Sequence, residues 1–280
     1  MGRDNEAYMP RDMVLRVLEA AGPDLILVGG QALAFWMDHY GIQAPRGSAP
    51  AVSRDVDFLT RDPAGRDPLR SFARAIDGRP EFVEPEAITA LVGSAIAPAE
   101  PGRIYNVDLL HRVVGIDRDK VFANAVRVPL ADTGTTLRVM HPLDVLQSRN
   151  ANLHVLAEKQ DDVGKMQFRL AIEVARSYLE QEIAASLARA AEAGGAKAAR
   201  RAEREIFDAI AIVAEYSTED AARKNAERHD IHLADAIPAW KIATPAFWTK
   251  QWPHLRERMS PGYAASCETR ASLRRSGIPG

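Results

Sequence analysis

The chain has 280 residues, of which 46% are hydrophobic and 26% charged, a balance that supports a folded core and excludes a disordered chain. Basic side chains number 36 and acidic ones 38, so the net charge of −2 excludes a bulk binder of nucleic acid or anionic membrane, while a local basic patch stays open. The single cysteine, Cys267, excludes an internal disulfide framework and a cysteine-built zinc site; no apolar signal core or membrane-length run is present, and a cytoplasmic protein without membrane partners is expected.

The first helix is expected from Pro10 to Ala21, with Met13, Val14, Val17, Leu18 and Ala21 on one face and Gly22-Pro23 ending it. Leu25 to Val28 reads as a buried strand, stopped by Gly29-Gly30, and Gln31 to Tyr40 as the helix that follows. A Pro/Gly/Ser-rich loop runs from Gly41 to Ser53. Asp55 to Thr60 reads as a strand and Asp67 to Asp77 as a helix that buries Leu69, Phe72 and Ile76. Ile88 to Ala97 and Arg103 to Leu110 read as two strands around a PAEPG turn, and VRVPL and TLRVM as weaker strands around a DTG turn.

Composition shifts near residue 140. Beyond it Ala, Leu, Glu, Arg and Lys dominate, and the reading is an N-terminal α/β domain (1–140) followed by a mostly helical domain (141–280). Leu143, Leu146, Leu153 and Leu156 recur at helical spacing beside a polar stripe of Gln147, Asn150 and His154. A second helix carries Val163, Met166, Leu170, Val174 and Tyr178, and Gly194-Gly195 breaks the Ala-rich helices after it. Ser217, with Asp220 three positions on, is expected to cap a helix, and the small, polar, basic tail after Pro261 to be loose.

Three features carry chemistry. The first is VGGQAL, Val28 to Leu33. Two glycines let backbone approach a ligand closely, and the helix after them offers free N–H groups and a positive dipole end that suit a phosphate. Taken alone it is an ordinary strand-to-helix turn, and neither a G-x-G-x-x-G dinucleotide fingerprint nor a P-loop is present. The second is Asp55-Val56-Asp57. Positions i and i+2 of a strand share a face about 7 Å apart, where two carboxylates suit hard cations such as Mg²⁺. Taken alone these are two surface aspartates. The third is Asp108, inside IYNVDLL, whose carboxylate needs a partner: Arg103 or Arg112 for a structural role, or a metal shared with Asp55 and Asp57.

Together, VGGQALAFW, SRDVDFL and YNVDLL resemble the nucleotidyltransferase superfamily, the polymerase-beta-like fold. Within it they look most like bacterial AbiEii-type nucleotidyltransferases of abortive-infection and toxin–antitoxin systems. The resemblance runs from the first helix into the helical domain and thins out after that. Relatives of antibiotic-modifying type have Gly-Ser where this chain has Gly29-Gly30, and the basic positions of such families are loosely matched by Arg149, Lys159 and Lys165. The resemblance implies a nucleotidyltransferase-like mixed sheet with flanking helices and an active site in a cleft between the two domains. It implies transfer of a nucleoside monophosphate from an NTP to an acceptor hydroxyl on tRNA, protein or a small molecule, with pyrophosphate released, and an antitoxin protein as a possible partner. Two Mg²⁺ ions are implied, with Asp55 and Asp57 bridging both and Asp108 on the attacking side, able to accept the proton. Gly29 and Gly30 would hold phosphates by backbone N–H. Ser53, Arg54, Lys159 and Lys165 are further nucleotide-binding candidates, with Ser53 and Arg54 equally readable as strand-end residues.

A catalytically silent nucleotide-binding or protein-interaction module of the same fold is the rival reading. Other residues weigh toward structure. His229 and His232 lack nearby ligand partners, and His111 and His141 flank strands. Lys197, Arg200, Arg201 and Arg204 form a basic helical face, solvated or able to hold acceptor phosphates. Trp240, Trp248 and Trp252 read as core of the C-terminal segment.

Overall fold

A computed structural model describes residues 5–44, 53–84, 87–130 and 134–276. The chain divides into two compact units, Met1–Ser148 and Arg149–Gly280.

The first unit is α/β. Its elements in order are α1 (Arg11–Ala20), β1 (Ile26–Val28), α2 (Gly29–His39), β2 (Val56–Leu59), α3 (Asp67–Ala75), β3 (Arg79–Phe82), β4 (Leu91–Pro98), β5 (Ile104–Leu110), α4 (Arg118–Asn124), β6 (Val126–Pro129), β7 (Thr136–Val139) and the start of α5 (Pro142–Val155). The strands form one seven-stranded mixed sheet in the order β3-β4-β5-β2-β1-β7-β6. β1 lies antiparallel to β2 and parallel to β7, and β2 lies parallel to β5.

The central strands are short and apolar because both their faces are covered. Every residue of β1 is buried. In β2, Val56, Phe58 and Leu59 are buried while Asp57 is half-buried. Phe58 stacks on Phe72 of α3 with ring centroids 4.7 Å apart, a pair worth about 1 kcal/mol beyond its area. Leu69, Phe72 and Ala73 line the buried face of α3, as its spacing predicts.

The second unit is mostly helical. α6 (Asp162–Ala193) and α7 (Gly195–Tyr216) pack face to face. They are joined at Gly194 and Gly195, both at positive φ (66° and 80°), a backbone state that glycine adopts without penalty. α8 (Asp220–His229), α9 (Trp252–Arg256) and α10 (Pro261–Arg275) follow, with short 3₁₀ and π turns between them. Cys267 is fully buried in α10, where burial pushes its thiol up to about 11 and leaves it unreactive at neutral pH. No helix among the described residues is long and apolar enough to cross a membrane.

Several expectations from sequence are corrected. Gly29 and Gly30 form the first turn of α2 rather than a loop before it. Asp55 precedes β2 in a bend instead of lying in the strand. Ser217 is no N-cap: it closes α7, donating to the Ala214 carbonyl at 2.7 Å, and Glu219 stands at the N-cap of α8. From Pro261 to Arg275 the tail is the helix α10, held by a buried face of small residues, Ala264, Cys267 and Ala271. The strand β3 and the helix α4 are additions to the sequence reading. Part of the loop expected from Gly41 to Ser53, and Asp132 and Thr133 of the DTG turn, lie outside the described residues.

Candidate metal centre

The strand registers place the acidic residues. Parallel pairing of β2 with β5 sets Asp57 directly opposite Asp108, so both side chains leave the same face. Asp55 comes two residues before Asp57. One ligand oxygen from each of Asp55, Asp57 and Asp108 can be chosen so that all three lie within 4.8 Å of one another. They are therefore close enough to hold one metal ion, and three carboxylate oxygens are the donor set that hard divalent cations prefer.

Asp108 is only 6% exposed, and its carboxylate is anchored through Oδ1. Ser94 Oγ, opposite it on β4, donates to that oxygen at 2.6 Å, and Asn106 Nδ2, two residues earlier on the same face, donates at 3.0 Å. Arg103, one of the two arginines expected as a structural partner, donates to the Glu6 carbonyl at 2.7 Å and lies 3.8 Å from Glu100. Asp55 Oδ1 accepts a hydrogen bond from Ser53 Oγ. Ser53 thus supports a carboxylate.

The glycines are explained by the same cluster. A Cβ on Gly29 would lie 1.9 Å from Asp57 Oδ2, and its φ of +67° is one that side chains rarely adopt. A Cβ on Gly30 would lie 2.4 Å from that of Ser53. The first turn of α2 therefore packs directly onto the acidic segment, and Gln31 Nε2 locks the two together by donating to the Ser53 carbonyl at 3.0 Å. That first turn has neither a side-chain cap nor an acidic residue, which leaves it the positive end of a helix dipole beside the carboxylates.

Arg54 sits over the Tyr8 ring, 5.5 Å from its centroid. Lys159 and Lys165 belong to the second unit. Lys159 ends a 3₁₀ turn, and its carbonyl lies so close to Gly164 that any side chain there would collide. Lys165 pairs with Asp162 at 3.0 Å.

His141 follows β7, which runs parallel to β1, so it stands at the sheet end where Gly29 lies. Its Nδ1 accepts from the Leu143 N–H at 3.2 Å, and burial lowers its pKa to about 4. It is neutral at pH 7 and brings no charge to a phosphate. His111 Nε2 is bound to the Thr89 carbonyl at 2.8 Å. His232 pairs with Asp230 at 3.2 Å, and His229 ends α8, its pKa lowered by burial and then by Lys165, Arg228 and Arg169. Lys197, Arg200, Arg201 and Arg204 are all exposed on α7, with Arg201 and Arg189 paired to Glu205 at 2.9 Å each. Trp252 is buried and Trp240 and Trp248 half-buried.

Ser94, Asn106, Gln31 and Glu6 are the site's supporting residues that sequence reasoning passed over. Ser94 and Asn106 carried a usable signal, each being polar in the middle of an apolar strand. Comparison of the chain with known protein families, with curated proteins and with solved structures finds no match.

Proposed function

We propose that the first unit is a nucleotidyltransferase domain that moves a nucleoside monophosphate from an NTP to an acceptor hydroxyl, using Mg²⁺ held by Asp55, Asp57 and Asp108. The observation that carries this reading is the convergence of three carboxylates, two from neighbouring strands and one from the bend before β2, against an uncapped helix start where a side chain on either of the first two residues would collide with the acidic segment. A structural ion would not need the helix N-terminus left open beside it. A phosphate-transferring site needs both, a cation for the triphosphate and backbone N–H donors for its oxygens.

Each residue has a stated task. Asp55 and Asp57 would hold the Mg²⁺ ions of the reaction, and Asp108 would share in holding one of them. When bound, Mg²⁺ lowers the pKa of an attacking hydroxyl and offsets the charge of the departing pyrophosphate. The N–H groups of Gly29 and Gly30 receive phosphate oxygens, and Arg54 supplies a positive charge beside them. The acceptor oxygen bonds to the α-phosphorus, the bond from that phosphorus to the α–β bridging oxygen breaks, and the acceptor proton passes to Asp108. The acceptor is a tRNA, a protein or a small molecule, and a toxin role with an antitoxin partner belongs to the same proposal.

The test is transfer of label from each α-labelled NTP to a cell extract, by wild type and by Asp57→Asn. The substitution keeps shape but gives a neutral amide, a poor Mg²⁺ ligand, and a lost ion costs orders of magnitude in rate. Labelling by wild type alone supports the proposal. Equal labelling by both removes Asp57 from the chemistry. Binding of metal and NTP by wild type without any labelling favours the silent nucleotide-binding module.

A further inference from the structure

Glu6 is a buried carboxylate, 6% exposed, on a stretch of chain outside every regular element. What fixes it is β5. The Ile104 N–H donates to the Asn5 carbonyl and the Ala7 N–H to the Ile104 carbonyl, both at 2.9 Å, which makes a parallel bridge between Glu6 and Ile104. β4 already occupies one edge of β5 at this level, pairing Pro98 with Ile104. The N-terminal segment therefore takes the other edge, the one that β2 takes further along, from Val56 opposite Val107. Arg103 Nη2 adds a bond to the Glu6 carbonyl at 2.7 Å.

This placement puts three polar side chains in a row. Glu6 lies opposite Ile104, and positions 104, 106 and 108 of a strand share a face. Asn106 Nδ2 is 3.3 Å from Glu6 Oε1 and 3.0 Å from Asp108 Oδ1. Asn106 is 1% exposed, so its amide cannot turn to water for a substitute acceptor. The two N–H bonds of the amide thus go to Asp108 and to Glu6. Without Glu6 the second N–H is left buried and unpaired, and the amide loses one of the two bonds that fix its orientation toward Asp108.

We infer that Glu6 is a positioning residue of the metal centre: through Asn106 it fixes the amide that holds the Asp108 carboxylate in place for a divalent cation. The inference rests on the reading of Asp108 as a metal ligand. It makes the segment from Asn5 to Ala7 part of the site, and it assigns Glu6 a role as a hydrogen-bond acceptor, not as a further ligand. Supporting bonds of this kind set metal affinity by about 10- to 100-fold.

The test is titration of the full-length protein with Mn²⁺ alone, followed by calorimetry below the melting point of each variant. Glu6→Ala is expected to bind Mn²⁺ at least tenfold more weakly than wild type. Glu6→Gln, which keeps an Oε1 acceptor at the same reach, is expected to bind like wild type. Asn106→Leu removes the amide, and adding Glu6→Ala to it is expected to weaken binding no further, since the coupling runs through that amide. Wild-type affinity in Glu6→Ala overturns the inference and leaves the metal reading standing. A Glu6→Gln variant as weak as Glu6→Ala overturns it too, because the charge of Glu6 would then act on the ion directly. A wild-type protein that binds no Mn²⁺ overturns the metal reading itself and this inference with it.

Discussion

Gly29→Ala tests the link between the glycine turn and the acidic cluster. Two separate penalties follow from the structure. The backbone at position 29 has φ +67°, where a side chain costs about 1–2 kcal/mol. The new Cβ would meet Asp57 Oδ2 at 1.9 Å and Asp57 Cγ at 2.8 Å, so the carboxylate must swing off its rotamer at about 0.5–1.5 kcal/mol. Together these come to roughly 1.5–3.5 kcal/mol, within the stability of an ordinary domain, so the variant folds and melts roughly 3–14 °C lower. Metal affinity is the sharper readout. A displaced Asp57 no longer points at the ion, and the loss should be no smaller than that from a supporting bond, about 10-fold or more. The assay is Mn²⁺ calorimetry on wild type, Gly29→Ala, Asp57→Ala and the double variant. In the Asp57→Ala background the oxygen contact is gone and one ligand is already missing, so adding Gly29→Ala should leave metal affinity unchanged and destabilise less than in wild type. A folded Gly29→Ala that binds Mn²⁺ as wild type does would refute the coupling and return the glycines to an ordinary turn.

Saturating Mn²⁺ should raise the melting point of wild type and leave that of Asp57→Asn nearly unmoved, as measured by scanning calorimetry; equal shifts would place the ion elsewhere. His141 should make stability pH-dependent. Its folded pKa of about 4 lies below the ordinary 6.5, so its contribution is complete above pH 6.5 and lost as pH falls toward 4, a term of up to about 3 kcal/mol. His141→Asn, whose amide oxygen can still accept from the Leu143 N–H, should flatten melting temperature against pH across that window; an unchanged profile would refute the assignment. Glu205 titrates at about 2 because of hydrogen bonds first from Arg189 and then from Arg201. Its folded pKa is depressed, so this contribution is present above about 4.5 and lost as pH falls through about 2, and carbon NMR of the Glu205 carboxyl should show a midpoint well below that of a free glutamate.

The parts legible in the sequence were those whose cause is local. β1, β2 and β5 are apolar runs with glycine, proline or polar residues at their ends, and α3 repeats its apolar residues at helical spacing. β3 was invisible because Arg79–Phe82 is an exposed edge strand that begins Arg-Pro and has no alternating pattern. α10 was misread because Ala264, Cys267 and Ala271 form its buried face, and small residues at that spacing resemble an uncommitted tail. At the site, Asp55, Asp57, Asp108 and the two glycines could be read as a set, since each stands at a local transition between strand and turn or interrupts an apolar strand. Their mutual support could not. Ser94 reaches Asp108 across a strand register, and Glu6 reaches Asn106 across a hundred residues of chain, and neither register nor bridge leaves a trace in local pattern.

That non-local support separates this cluster from a chance patch of surface acid. Two unit charges 4.8 Å apart repel by about 3 kcal/mol at an effective dielectric of 20, discounted here because Asp55 and Asp57 are half-exposed and screened. Ser53, Ser94 and Asn106 are uncharged donors, which orient carboxylate oxygens of Asp55 and Asp108 without cancelling their charge. Glycine stands where any side chain would displace Asp57. Neutral donors, an excluded side chain and a buried acceptor at Glu6 all preserve a concentrated negative charge in a fixed geometry. Such a geometry suits a divalent cation, and the proposed function adds a phosphate ester at the uncapped start of α2.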